Sequence, residues 1–421
     1  MATSGRKDVL IVGAGIGGLT LALQLHAAGI PCRIIEAAPQ LAALGVGINI
    51  LPHASRELHR LGLGPELERV AVRPRESRFY NRFGQLIYTE PLEPAAGDSG
   101  WPQYSIHRGD LQAALLHAVR ERLGHRVVRL GAQLVAAEQD AASATAIVAN
   151  RSGQERIPAG VLVGCDGVHS AVRASLHPTL PGLRYAGCTM WRGVSVWPPF
   201  LGGASMVRAG WLSTGKLVVY PIRNDVDGRH NQLVNWVAEL ETPQRAGRDW
   251  NREGAVEDMI EPFRDWRFDW LDVPAMIRAT ERVLEYPMVD QEPLPRWSFG
   301  RVTLLGDAAH PMVPRGSNGA GQAILDTRSL TDRLRDTGDP VEALAGYDRD
   351  RREATAQVVR MNRTNPPDAI LREVYQRTGD RPFERVADVI RTEEMERLLG
   401  RYRSITECPA TAGPPGSEIP L

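Results

Sequence analysis

Short runs of apolar residues, each ending at a glycine or a polar residue, recur along the chain and predict buried strands. Val9–Val12 is entirely apolar, and Cys32–Ile35 and the segments 158–164 and 301–305 are mainly apolar. Continuous apolar runs of this length are typical of parallel strands that are covered on both faces. Helical spacing predicts helices after Gly18 and over about 53–61, 107–123, 253–279, 317–336 and 340–362. Strands that alternate with helices predict an α/β fold.

The pattern changes between residues 188 and 238, where three segments favour β-strands. These segments are 189–196, 216–222 and 232–238, and the region carries tryptophans at 191, 197, 211 and 236. Large aromatic side chains fit the pleated, half-buried surface of an antiparallel sheet. We therefore expect a β-rich unit inserted into the α/β fold.

Composition excludes several classes of protein. Fifty basic residues balance fifty acidic ones, which gives no electrostatic footprint for nucleic acid. The four cysteines are far apart and include no C-x-x-C, so neither a zinc site nor a disulfide framework is indicated. Residues 9–32 carry no Asp, Glu, Lys or Arg and are long enough to cross a bilayer, but their glycines follow a turn pattern and no cleavage site follows them. We expect a cytoplasmic protein without a membrane segment.

The glycine-rich segment after the first strand predicts a site for a dinucleotide. Gly13 permits a tight turn, Gly15 lets the backbone approach a pyrophosphate, and Gly18 lets the helix pack closely on the strand. The start of that helix offers free N–H groups to phosphate oxygens. Glu36 follows the second strand, eighteen residues after Gly18, where it can accept hydrogen bonds from a ribose.

Two further acidic loops also lie at strand ends, where ligands bind in α/β sheets. Asp166 and Gly167 follow one strand, and Asp307 follows another, ahead of a second glycine-rich segment at 316–320. Either aspartate alone could be only a helix N-cap. Arg108, beside a predicted helix start, could reach a phosphate or could be a surface arginine. Together with the first glycine motif, the two loops favour a cofactor site.

Three motifs in this order resemble the fingerprints of the single-component FAD-dependent aromatic hydroxylases, a family of flavoprotein monooxygenases. They are the opening glycine motif, Cys-Asp-Gly-Val-His-Ser-Ala-Val-Arg at 165–173 and Gly-Asp-Ala-Ala-His-Pro at 306–311. The resemblance covers about residues 8–360. Shorter segments, such as Gly-Val-Gly-Ile-Asn-Ile at 45–50, are similar to the phenazine-hydroxylating members. Arg315 stands where that pattern has an apolar residue, and the chain after Asn365 differs from it.

The resemblance implies bound FAD and assigns roles to individual residues. The pyrophosphate, the riboses and the ribityl chain would be held by Gly13, Gly15, Gly18, Glu36, Arg108 and Asp307. The adenine would lie near Leu134, and Asp166 with Gly167 would serve both FAD and the nicotinamide nucleotide. The isoalloxazine would lie close to Val46 and Gly47 and would receive backbone N–H groups from Gly316, Asn318 and Gly319, where reduction builds negative charge.

The fold implied is a Rossmann-like FAD-binding domain interleaved with a β-rich substrate domain and followed by C-terminal helices. We assign residues 1–75, 105–185 and 286–350 to the first domain and 76–104 with 186–285 to the second. Residues 351–421 would form a helical segment with a disordered end, because 409–416 are rich in Pro and Gly.

The reaction implied is hydroxylation of an aromatic or heteroaromatic small molecule, phenazine-like or an aromatic acid or phenol. NADH or NADPH would reduce FAD, and dioxygen would then give a flavin hydroperoxide that hydroxylates the ring. The predicted substrate pocket consists of Trp191, Arg192, Tyr286, Met288 and Arg315. An inward Arg315 would suit a carboxylate or phenolate, whereas an outward one would be a solvated loop residue.

Two alternatives share these motifs. A flavin oxidase or dehydrogenase would oxidise its substrate without inserting oxygen, and a non-catalytic FAD-binding sensor would respond to redox state or to a ligand. The sequence leaves the oligomeric state open.

Overall fold

The structure is a computed structural model that describes residues 8–41, 45–93, 100–151, 153–243, 252–364 and 366–406. The end predicted to be disordered, 409–416, lies outside these residues. In chain order the strands are β1 (Val9–Val12), β2 (Cys32–Ile35), β3 (Gly47–Ile50), β4 (Glu76–Tyr80), β5 (Leu86–Pro91), β6 (Tyr104–His107), β7 (Val128–Arg129), β8 (Gln133–Gln139), β9 (Ala144–Asn150), β10 (Gly153–Ala159), β11 (Val161–Gly164), β12 (Arg184–Trp197), β13 (Ser205–Trp211), β14 (Gly215–Arg223), β15 (Gln232–Glu241), β16 (Arg252–Gly254), β17 (Arg267–Phe268), β18 (Leu271–Asp272), β19 (Val283–Asp290) and β20 (Val302–Leu304). The helices are α1 (Ile16–Ala27), α2 (Pro52–Arg60), α3 (Gly64–Val70), α4 (Arg108–Leu123), α5 (Ala171–Leu176), α6 (Val273–Arg278), α7 (Gly319–Asp336), α8 (Pro340–Thr364), α9 (Ala369–Thr378) and α10 (Thr392–Thr406).

A parallel sheet of strands in the order β20, β11, β1, β2 and β7 forms the centre of the nucleotide-binding part. Every residue of β1, β11 and β20 is buried, as their continuous apolar sequences predict. Helix α1 packs against both α4 and α7, and most of its side chains are buried. The predicted α/β fold is confirmed.

The β-rich part is one twisted sheet in the order β16, β19, β12, β15, β14, β13, β4 and β5. Strands β12, β15, β14 and β13 pair antiparallel, whereas β4 joins β13 in parallel. Successive side chains point to opposite faces of a strand, so the sheet has two distinct faces. One face is covered by residues 256–278 through a cluster rich in aromatic side chains, including Trp236, Phe263 and Trp266.

The prediction of a helix over 253–279 is wrong. The segment contains β16, two single 3-10 turns, the short β17–β18 hairpin and α6. Met259, Phe263 and Trp266 have helix-like spacing, but all three are buried against the large sheet. Pro262 and Pro274 each lie in the first turn of a short helical piece, where the missing proline N–H is tolerated. Packing against the sheet therefore determined the conformation of this segment, in place of its helical periodicity.

The predicted boundary at residue 286 falls inside β19. This strand pairs with β12 as far as Asp290, so its second half belongs to the large sheet rather than to the nucleotide-binding part. The pairing corrects that boundary, and the division into two domains otherwise stays a prediction. The C-terminal helices pack on the opposite end of the large sheet, where Ile370 and Leu371 meet Phe79 and Ile87.

Candidate active site

The first glycine loop has two glycines that the fold needs and one that faces open space. A Cβ on Gly13, whose φ is +108°, would lie 2.5 Å from the carbonyl oxygen of Cys165. A Cβ on Gly18 would lie 2.0 Å from the carbonyl oxygen of Gly13, whereas a Cβ on Gly15 would meet no atom within 4 Å. No side chain caps the start of α1. Its N–H groups therefore remain available to a ligand.

Glu36 lies beside this loop at the end of β2. Its Oε2 accepts a hydrogen bond from the Ala14 N–H at 2.7 Å, and its Oε1 accepts one from the Ala38 N–H at 2.8 Å. Both oxygens keep a lone pair for a ribose hydroxyl. Leu134, in contrast, is buried in the core around the parallel sheet, so its side chain packs inside the protein.

The loop of Asp166 and Gly167 caps a helix. Asp166 accepts a hydrogen bond from Ser170 Oγ at 2.5 Å and another from the backbone in the first turn of α5. Burial raises the pKa of this carboxyl, against the lowering effect of those hydrogen bonds. Gly167 has a φ of +78°. Arg173 then joins the two acidic loops, because its guanidinium donates to the carbonyl oxygen of Asp307 at 3.0 Å.

Asp307 presents an exposed side chain at the end of β20, close to the start of α7. A Cβ on Gly319 would lie 3.8 Å from its Oδ1. Beneath this turn, Asp326 accepts a hydrogen bond from Arg351 Nε at 2.7 Å and is hydrogen-bonded to His310 Nε2 at 2.6 Å. Although burial favours its neutral form, His310 and Arg351 hold the pKa of Asp326 below its usual value. This buried group supports the turn that carries Asp307.

The segment around Val46 and Gly47 is fixed to the large sheet. The Gly47 N–H donates to Asn235 Oδ1 at 2.7 Å, and its carbonyl oxygen accepts from Tyr220 Oη at 3.0 Å and from the Arg192 guanidinium. The carbonyl oxygen of Val46 accepts from the backbone N–H of the exposed Arg108, at the start of α4. Three side chains of the sheet therefore set the position of one backbone segment.

The second glycine-rich turn lies next to β3. Asn49 Nδ2 donates to Ser317 Oγ at 3.4 Å. Gly316 has a φ of +76°, which favours glycine. Asn318 is fully buried and donates to Tyr402 Oη of α10 at 2.8 Å, while its Oδ1 has no hydrogen-bond partner among the described residues. The structure thus brings the segments 45–50 and 315–319 together.

The expectation that Trp191 and Arg192 line one pocket is wrong. Neighbouring residues of a strand point to opposite faces. Trp191 packs with Trp236 in the aromatic cluster, whereas Arg192 reaches Gly47 on the other side of the sheet. We call this other side, on which Arg192, Tyr286 and Met288 of the predicted pocket lie, the substrate face. It carries Met190, Arg192, Lys216, Tyr220, Asn235, Glu239, Tyr286 and Met288.

Arg315 points inward, which was one of the two outcomes left open by the sequence. Its side chain is only 11% exposed, and its Nε lies 3.9 Å from Glu239 Oε2. Lys216 Nζ lies 2.9 Å from the other oxygen of Glu239. Neither Lys216 nor Glu239 is among the residues predicted from the sequence. Their signal was the alternation in β14 and β15, which puts polar residues at 216 and 220, and at 235 and 239, on one face.

This edge of the molecule fits FAD. The space in front of Gly15 and the uncapped N–H groups of α1 suit a pyrophosphate. The Asp307 carboxylate is exposed, and no hydrogen bond is assigned to it among the described residues. It is therefore available to hydroxyl groups of a ligand. Gly319 leaves space near β3, because a Cβ there would meet only Asp307 Oδ1 within 4 Å, at 3.8 Å.

The family model described as "FAD binding domain" matches residues 6–362. The chain belongs to this family. This FAD-binding protein is 42% identical to the phenazine 1,6-dicarboxylic acid hydroxylase PhzS of Lysobacter antibioticus, over 97% of the chain and 99% of that protein. It is 30% identical to the 6-hydroxynicotinate 3-monooxygenase of Bordetella bronchiseptica, over 86% of the chain and 92% of that protein.

Solved structures agree on the fold. The structure of Klebsiella pneumoniae HpxO complexed with FAD and uric acid superposes with a TM-score of 0.77 at 23% identity, and covers 96% of this chain and 97% of that one. The predicted family and cofactor are confirmed, and the protein is an FAD-dependent monooxygenase that takes electrons from NADH or NADPH. Among the described helices, none has the length and apolar character needed to cross a membrane.

Proposed function

We propose that this monooxygenase hydroxylates an aromatic or heteroaromatic small molecule that binds between the substrate face, β3 and the turn at 315–319. The observation that carries this proposal is that two backbone segments meet beside β3. One is Gly47, which Asn235 and Tyr220 hold, and the other is the turn at 315–319, which contacts Asn49. Tyr286 and Met288 border the same space, in a cluster with Met190 and Val313, and give it apolar walls.

The residues that would hold FAD are those of the three loops. The pyrophosphate would lie against Gly13, Gly15 and Gly18. Glu36 would bind a ribose, and Asp307 with Arg108 would bind the ribityl and phosphate groups. Asp166 supports this site by capping α5, and Gly167 lies in the same loop. The side chain of Leu134 packs in the core, so only its backbone is left for a contact with adenine.

When bound and reduced by NADH or NADPH, FAD supplies the two electrons that activate dioxygen for insertion of one oxygen atom into the ring. The chain's own groups position and shield the reactants. Backbone N–H groups from Gly316 to Gly319 would stabilise the negative charge of the reduced ring. Arg192 and Tyr220 fix the backbone of Gly47, which would pass close to that ring. The apolar walls would exclude water from the reacting atoms once cofactor and substrate are bound.

The names of the relatives support an aromatic substrate. They include a phenazine 1,6-dicarboxylic acid hydroxylase and a 3-hydroxybenzoate 6-hydroxylase of Aquipseudomonas alcaligenes, which is 32% identical over 84% of the chain. A phenazine-like compound and an aromatic acid or phenol are therefore the substrate classes we propose. We also propose action in the cytoplasm, because NADH and NADPH are used there.

The test is a screen of phenazines, aromatic acids and phenols with the purified holoenzyme and each reductant. Oxygen uptake and reductant oxidation are followed together, and the product is analysed by mass spectrometry. We expect a ring that stimulates both rates and gains one oxygen atom. A product oxidised without added oxygen would favour an oxidase or dehydrogenase. Ligand-induced spectral change without any turnover would favour a sensor.

A further inference from the structure

The buried charges next to Arg315 do not balance. Among the described residues, a connected group against the substrate face contains Arg315, Lys216 and Arg208 as cations and Glu239 and Asp368 as anions. No side chain in the group is more than 13% exposed. Buried charges are costly unless they are paired, so an excess of one cation needs a reason.

The two carboxylates are already committed to Lys216 and Arg208. Lys216 Nζ contacts both Glu239 and Asp368, and the second oxygen of Asp368 lies 3.2 Å from Arg208 Nε. Although burial opposes charge in each case, Asp368 and Glu239 raise the pKa of Lys216, and Lys216 and Arg208 lower that of Asp368. Both shifts favour the charged forms of Lys216 and Asp368.

Arg315 is the cation with the weakest pairing. Its Nε lies 3.9 Å from Glu239 Oε2, beyond hydrogen-bond distance, and that oxygen has no hydrogen-bond partner among the described residues. A guanidinium offers five N–H donors in a planar fork that matches a carboxylate. The fork of Arg315 is thus only partly used by the protein.

The position of Arg315 places this cation beside the proposed substrate site. It directly precedes Gly316 in the turn beside β3, and its neighbour Val313 packs with Met190, Met288 and Tyr286. A flat ring on those apolar side chains would bring an acidic substituent to the guanidinium. We propose that Arg315 selects aromatic substrates that carry a carboxylate, and that Glu239 competes with the substrate for it. This inference rests on the proposed function.

The experiment compares phenazine-1,6-dicarboxylic acid with its uncharged diamide. Binding to the holoenzyme is measured from the change in flavin absorbance, which requires no turnover. We expect wild-type protein to bind the diacid at least tenfold more tightly than the diamide. Arg315→Met should abolish that preference by weakening the diacid alone, and Arg315→Lys, which keeps the charge, should retain part of it. FAD content and melting temperature show that each variant is folded.

Glu239→Gln should change the affinity for the diacid in the opposite direction to Arg315→Met. Removal of the competing carboxylate should tighten the diacid severalfold and leave the diamide within twofold. If Arg315→Met weakened the binding of diacid and diamide equally, or left the preference for the diacid unchanged, the role of Arg315 would be overturned. The proposed function would still stand. Wild-type holoenzyme that bound neither ligand, yet hydroxylated a neutral ring, would reject carboxylate selection and keep the monooxygenase. Failure with every ring would instead reject the proposed function itself.

Discussion

The hydroxyl oxygen of Tyr402 occupies the space that a side chain on Gly316 would need, since a Cβ there would lie 1.8 Å from it. This hydroxyl accepts a hydrogen bond from Asn318 and donates one to Asn362 Oδ1 at 2.7 Å. Tyr402 belongs to α10, close to the end of the described chain. The C-terminal helix therefore supports the turn that we propose lies next to the flavin.

Tyr402→Phe should weaken both this turn and FAD binding. The ring stays in place, but Asn318 and Asn362 lose a buried partner, which typically costs about 1–3 kcal/mol. We expect a lower urea midpoint and a larger dissociation constant for FAD. Tyr375→Phe is the matched control, because the Tyr375 hydroxyl has no hydrogen bond assigned within the described part of the chain. Equal behaviour of the two variants would show that the Tyr402 hydroxyl does not support the turn.

Gly15→Val and Gly18→Ala should separate cofactor binding from folding. The Gly15 side chain would enter open space, so the variant should fold but lose FAD because the pyrophosphate position is filled. The Gly18 side chain would collide with the Gly13 carbonyl, so that variant should be destabilised in urea even without FAD. Flavin occupancy from absorbance and apoprotein unfolding are the measurements. Normal FAD occupancy in Gly15→Val would contradict the assignment of this loop.

Asp307→Ala should reduce FAD affinity with little effect on apoprotein stability. The side chain is exposed, so its removal leaves no buried group unpaired. If it binds buried hydroxyl groups of the cofactor, the loss should be about 1.5–3 kcal/mol in binding free energy. Isothermal titration of apoprotein with FAD measures this, and Asp269→Ala, in the exposed turn between β17 and β18, is the control. An unchanged affinity would remove Asp307 from the cofactor site.

Stability should fall as the pH drops below about 6.5, through His53. Burial, helped by Arg351 and Arg56, lowers the pKa of His53 to about 4. Below its ordinary pKa of 6.5 the unfolded chain binds a proton that the folded chain does not, so the loss grows until about pH 4, by at most about 1.4 kcal/mol per pH unit. Urea unfolding of wild type and His53→Gln between pH 7 and 4.5 checks this. The variant should show a shallower slope, and identical slopes would exclude His53 as the cause.

The sequence alone predicts those elements whose local pattern leaves one physical solution. The apolar runs of β1 and β11 can be satisfied only by burial on both faces, and Gly13 and Gly18 stand where any side chain would collide with backbone. The three motifs that identify the cofactor directly follow buried strands, so their positions at strand ends can also be predicted from the local sequence. Their roles as individual contacts to FAD stay predictions.

The orientations of side chains that contact residues distant in the chain could be read only from the tertiary structure. Trp191 and Arg192 are adjacent in sequence, yet only the packing of residues 256–278 on one side of the sheet determines which of them is covered and which reaches Gly47. Arg315 points toward Glu239, 76 positions earlier, and the turn at Gly316 is in contact with Tyr402 of α10. No local periodicity encodes such contacts, because they arise only when the sheet and the C-terminal helices have packed around the turn.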